Sequence, residues 1–131
     1  MAILPEKVIK AWDLHEGPPV FVTVKKDGTP NAIYATCVSR YDKETFLVAN
    51  NYFSKTMDNI SSGSKGSLLF ITKEGDSYQV KGTVEYYQDG AYFENMKTWN
   101  PVKHPGHGVA VIRVEEVYSG AEKLSPDNTV K

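Results

Sequence analysis

The residues with the clearest chemical potential stand together at Ser54-Lys55-Thr56, after the stretch Val48-Ala49-Asn50-Asn51-Tyr52-Phe53. A β-type run ends there, a polar turn follows, and a helix begins on a hydroxyl, an ammonium and a second hydroxyl. Helix N-termini present unpaired N–H groups and a partial positive charge, so they favour phosphate oxygens. Lys55 adds a full charge, and Ser54 and Thr56 add hydrogen-bond donors. The same residues also read as a plain cap, with Ser54 closing the helix and Lys55 in solvent. The residues alone leave both readings open.

Other chemistry is sparser. His104-Pro105-Gly106-His107 places two imidazoles in one loop, but two imidazoles with no nearby carboxylate fall short of a zinc ligand set. No metal site is expected. Trp99, His104 and His107 instead suggest a solvent-facing loop, or a proton source at neutral pH. Cys37 has no neighbouring base or helix start to lower its pKa, which favours a small strand residue over a nucleophile. No Ser-His-Asp or paired-carboxylate arrangement and no Gly-rich dinucleotide fingerprint are evident.

The elements that must position these residues are mostly strands. Pro5 opens a first helix carrying Leu4, Val8, Ile9 and Trp12 on one face, and Gly17-Pro18-Pro19 stops it. Val20–Val24 and Asn31–Arg40 flank Asp27-Gly28, a hairpin signal. Thr45–Asn50 is a third strand, Lys55–Ser62 a short helix with Met57 and Ile60 inward, and Gly66–Lys73 a fourth strand. Ser77–Gln88 is a long fifth strand whose Gly82 marks a bend or a close backbone approach. Asp89-Gly90 precedes a second short helix with Tyr92, Phe93 and Met96, and Val109–Tyr118 is the sixth strand. Ser119–Lys131 reads as a polar, loosely held tail. Six strands in short succession predict an antiparallel barrel, because closure removes exposed edges.

Composition bounds the remaining possibilities. At 131 residues the chain suits one domain, residues 1–131, with one core. It is 40% hydrophobic and 24% charged with a net charge of −1, so it lacks the basic excess that nonspecific nucleic-acid binding needs. There is no membrane-length apolar run, no signal-peptide pattern and one cysteine, which makes the cytoplasm the expected location.

The ordered set of motifs resembles the FMN-binding split barrels related to pyridoxamine 5′-phosphate oxidase. The matching pieces are Lys26-Asp27-Gly28-Thr29-Pro30, Phe46-Leu47-Val48-Ala49-Asn50, Ser54-Lys55-Thr56, Gly82-Thr83-Val84-Glu85, the Asp89-Gly90 turn and Val109–Val114. They span roughly residues 5–118, and each alone is short. The resemblance implies a mainly β fold: a six-stranded antiparallel split β-barrel with short peripheral helices. It implies a homodimer with flavin mononucleotide (FMN) across the interface. Carried over by position, Ser54, Lys55 and Thr56 hold the phosphate. Tyr34, Ala35, Thr36, Ala49, Asn50 and Asn51 line the ring and ribityl chain, largely through backbone groups. Thr36 also reads as an ordinary strand residue, and Tyr34 as a core or interface aromatic. Tyr86, Tyr87, Tyr92 and Phe93 suit either an interface or the core.

Two departures separate the chain from the true oxidases. It lacks their C-terminal Arg- and His-bearing segment, and its second strand lacks the arginine they place on the flavin phosphate. The expected function is therefore that of an oxidoreductase or electron carrier with a small-molecule or protein electron donor, and not vitamin B6 oxidation. A non-catalytic protein storing flavin, deazaflavin or haem is the alternative. A cofactor-free barrel that binds oligonucleotides fits poorly, given the neutral charge and the lack of a basic aromatic stripe.

Overall fold

The computed structural model describes residues 3–126. Helix α1 (Glu6–Asp13) precedes strands β1 (Val20–Val24), β2 (Pro30–Tyr34), β3 (Val38–Asp42) and β4 (Thr45–Asn50). Helix α2 (Lys55–Ser61), strands β5 (Gly66–Ile71) and β6 (Ser77–Tyr87), and helix α3 (Gly90–Trp99) follow. Strands β7 (Gly108–Ser119) and β8 (Glu122–Ser125) end the order. Every pairing is antiparallel, in the order β2-β1-β5-β6-β7-β4-β3, with β8 added beside β7. The mainly β split-barrel architecture with short peripheral helices is the one expected, but the sheet has eight strands and is not closed.

Two local differences account for the strand count. The stretch expected as one strand, Asn31–Arg40, is two strands separated by Ala35-Thr36-Cys37. The β-type composition runs on through these residues, so periodicity alone could not locate the break. The second difference lies in the tail expected to be loosely held. Glu122–Ser125 pairs with β7, Leu124 packs against the core, and the Ser125 hydroxyl donates to the Ile3 carbonyl at 3.0 Å. Residues 127–131 of that tail lie outside the described residues. Among the described residues, no helix is long and apolar enough to cross a membrane.

The barrel interior is filled from one end by α1. Val8 and Trp12 are buried there, and Trp12 meets Phe46 and Phe70 edge-on at ring separations of 5.0 and 5.1 Å. Such crossed pairs add to the burial of their large apolar areas. Helix α3 covers the outside of β4 and β7, where Met96 packs with Leu47, Ala49, Val109 and Val111. Strand β4 is therefore buried on both faces: Phe46 and Val48 point into the barrel, and Leu47 and Ala49 point under α3. Tyr87, Tyr92 and Phe93 pack on this outer cluster and Tyr86 on the inner one, so all four contribute to cores within the single chain. Beside them Arg113 forks onto Glu85 at 2.8 and 3.0 Å, and the Tyr87 hydroxyl donates to the same carboxylate at 2.6 Å. These bonds hold the Glu85 carboxyl below its usual range.

Gly82 is a point of close backbone approach, as its place in the long strand suggested. A Cβ there would lie 1.8 Å from the Arg113 carbonyl oxygen, where β6 and β7 shift register after Lys81. A backbone oxygen cannot swing away as a side chain can. Gly82→Ala should therefore destabilise the fold by about 1–3 kcal/mol, the usual cost of overpacking. Urea unfolding checks this, and an unchanged midpoint would contradict the close crossing.

Candidate functional site

The break between β2 and β3 creates a cleft of about 190 Å³. Tyr34, Ala35, Thr36 and Cys37 form one wall, and Ala49 and Asn51 from the end of β4 form the other. The three linking residues are held from both sides. The Ala35 N–H donates to the Pro19 carbonyl at 2.8 Å, and the Cys37 carbonyl accepts from the Ala49 N–H at 3.0 Å. Thr36 stands between these anchors with its side chain exposed. Tyr34 is 73% exposed, so within one chain it is not a core aromatic.

The structure thus brings Tyr34, Ala35, Thr36, Ala49 and Asn51 together on one cleft. Asn50 turns elsewhere. Its amide donates to the Tyr86 hydroxyl at 2.7 Å, and its Oδ1 accepts from the Phe53 N–H at 3.0 Å. Gly108 makes this possible, because a Cβ there would sit 2.2 Å from the Tyr86 hydroxyl. The Asn50 side chain is consumed in holding the turn, which leaves only its backbone for any ligand.

The Ser54-Lys55-Thr56 trio divides in two. Ser54 and Lys55 are exposed, and Ser54 makes no side-chain capping bond to α2, so its hydroxyl is not spent as a cap. Lys55 borders a second depression, of about 450 Å³, together with Lys25, Thr29, Asn31 and Asp58. Thr56 faces inward at 2% exposure, and its Oγ1 accepts from the Asn31 amide at 3.1 Å. The Thr56 N–H, like the other first-turn N–H groups of a helix, has no intrahelical acceptor. Ile33 lines the cleft and Asn31 the second depression. Two residues apart on β2, they share one face of the strand.

Sequence reading missed what pins the loop 100–107 over this region. Asn51 and Asn100 exchange a reciprocal pair of amide bonds at 2.9 and 3.0 Å, and Asn51 Oδ1 also accepts from the Gly106 N–H at 2.9 Å. The His107 N–H donates to the Asn50 carbonyl at 2.9 Å. Both asparagines are buried, and buried amides must be paired. The partners lie 49 residues apart, and no local pattern connects them. This clamp sets His104 beside Tyr52 at the mouth of the cleft, its Nδ1 3.2 Å from the tyrosine hydroxyl. His107 is exposed, while Trp99 packs in the outer cluster and donates to Asn95 Oδ1 at 3.0 Å.

Residues 7–119 match the family model for pyridoxamine 5′-phosphate oxidase, and the chain belongs to that family. It is 36% identical to the uncharacterized protein MJ0282 of Methanocaldococcus jannaschii, over 95% of this chain and 84% of that one. Among solved structures it is similar to HupZ of Group A Streptococcus, with TM-score 0.70 and 26% identity over 88% of this chain and 90% of that one. An FMN-binding protein from Syntrophomonas wolfei shares the fold at TM-score 0.70 and 19% identity, over 86% and 94% of the two chains.

Asn51→Ala would strand the buried Asn100 amide and the Gly106 N–H without partners. Unpaired buried polar groups cost about 1–3 kcal/mol each, so a loss of about 2–6 kcal/mol is expected for the two. Amide exchange at Gly106 and His107 should quicken well before global unfolding. Unchanged exchange at both positions would show that the asparagine pair does not hold the loop.

Proposed function

We propose that this chain is an FMN-binding flavoprotein that acts as a cytoplasmic oxidoreductase or electron carrier, with the flavin shared across a homodimer interface. One observation carries the reading. The gap in the barrel gathers Tyr34, Ala35, Thr36, Ala49 and Asn51 on one cleft, and the start of α2, with the uncapped Ser54 and the exposed Lys55, is tied to β2, which also borders that cleft, by the Asn31–Thr56 bond. Membership of the family and the likeness to an FMN-binding protein support the choice of cofactor.

The residues present fit such a group. The cleft supplies a small, mostly apolar wall for a flat ring, and the polar end supplies a hydroxyl and an ammonium for a phosphate. At about 190 Å³ the cleft is smaller than the roughly 300–1,000 Å³ of a typical ligand pocket. One chain would enclose only part of the ring, and the exposed Tyr34 borders the open side that a second copy would close.

When bound, the flavin supplies electron transfer, and the protein supplies binding and orientation. In this reading Lys55 Nζ, the Ser54 hydroxyl and the Thr56 N–H hold the phosphate. Ala35, Thr36 and Ala49 bracket the ring, and Asn50 and Asn51 contribute backbone groups while their side chains hold the turn and the loop. The electron donor is a small molecule or a protein that reaches the open side of the cleft.

The test compares two ligands that differ only in the phosphate. Fluorescence titration of Lys55→Ala should show FMN binding weakened about tenfold or more, with riboflavin binding nearly unchanged. Equal losses for the two ligands would remove Lys55 from the phosphate site.

A further inference from the structure

The depression beside Lys55 contains a second ammonium that neither the fold nor the cleft requires. Lys25 follows the last residue of β1, at the start of the hairpin turn to β2. Its backbone closes that turn: the Lys25 N–H donates to the Thr29 carbonyl at 2.7 Å, and the Lys25 carbonyl accepts from the Gly28 N–H at 2.8 Å. The side chain is left to project, and it lines the same 450 Å³ depression as Lys55.

The nearest carboxylate is occupied elsewhere. Asp27 Oδ1 accepts from the Thr29 N–H at 3.0 Å and from the Thr29 hydroxyl at 2.7 Å. These bonds hold the Asp27 carboxyl below its ordinary value, so it stays ionised within the turn. Its other oxygen lies 4.0 Å from Lys25 Nζ, at the outer limit of an ion pair between exposed groups. Such a contact is weak. Lys55 forms no ion pair among the described residues.

The elements that carry the two lysines are fixed to one another. The Asn31 amide donates to Thr56 Oγ1 at 3.1 Å, tying β2 to the first turn of α2. The buried Asn59 amide donates to Thr23 Oγ1 at 3.0 Å, tying the next turn of α2 to β1. The backbones bearing Lys25 and Lys55 are therefore held in place before any ligand arrives, so little ordering cost falls on binding. Asp58, which also lines the depression, supplies the one negative charge there. It is three residues beyond Lys55, on the helix.

We propose that Lys25 is a second anchor for a phosphomonoester, so that the dianion of the flavin phosphate is held between Lys25 and Lys55. A phosphate group carries about −1.5 to −2 charges at pH 7, a match for two ammoniums. Thr29 and Asn31 line the same depression. This rests on the flavin reading above, and it adds a contact from an element on the far side of the hollow from α2.

The experiment titrates wild type, Lys25→Ala and Lys25→Arg with FMN and with riboflavin, and separately follows the lysine side-chain NMR signals during addition of inorganic phosphate. Lys25→Ala should weaken FMN binding about 10- to 100-fold, the range for a charge-assisted hydrogen bond, and leave riboflavin unchanged. Lys25→Arg should restore most of the loss, and inorganic phosphate should shift the Lys25 and Lys55 signals together. If Lys25→Ala binds FMN as wild type does, or loses FMN and riboflavin alike, the anchor is overturned while the flavin reading stands. If wild type binds neither flavin, the functional reading fails, and the phosphate titration still decides for or against Lys25.

Discussion

The backbone of β2 runs on into β3 through only three residues, yet these two strands do not pair with each other. They stand at opposite ends of the sheet order, and every other neighbouring pair between them is hydrogen-bonded. An unpaired strand edge leaves N–H and C=O groups to be satisfied in some other way. The linking residues partly solve this by reaching to both sides, Ala35 to Pro19 beside β1 and Cys37 to Ala49 on β4. The gap is thereby held open and not zipped shut. The cleft is the space that this arrangement leaves.

Much of the remaining structure keeps that gap in shape. Strand β4 is buried on both faces, between α1 and the barrel interior on one side and α3 on the other, so the wall carrying Ala49 cannot drift. Asn50 then locks the following turn through Tyr86 and Phe53, and Asn51 locks the overlying loop through Asn100 and Gly106. Consecutive residues thus serve two different anchors, one inside the barrel and one outside it. This follows from their alternation at the end of a strand. Helix α2 is fastened to β1 and β2 by two amide–hydroxyl bonds, which fixes the helix start that carries the exposed Lys55.

The sequence made the strand order and the position of Ser54-Lys55-Thr56 legible, because strand alternation, Asp-Gly turns and helix starts are local signals. The division of Asn31–Arg40 was not legible, since Ala35-Thr36-Cys37 has no turn residue and the break is imposed by pairing with β1 and β4. The strand at Glu122–Ser125 was hidden by its polar composition, for its stability comes from pairing with β7 and from one apolar residue, Leu124. Thr56 looked like an outward hydroxyl until Asn31, 25 residues away, supplied its partner. Lys25 drew no notice in the sequence, because its place beside the same depression as Lys55 depends on how α2 docks against β1. In each case the missing information was a contact between distant parts of the chain.

In the function proposed above, the gap between β2 and β3 is a flavin site completed by a second copy of the chain. Native mass spectrometry of the purified protein tests it most directly, since it reads chain number and bound small molecules together. Two chains carrying two FMN molecules are expected, with both cofactors released when the dimer is dissociated. A monomer that stays free of flavin after incubation with excess FMN would contradict it.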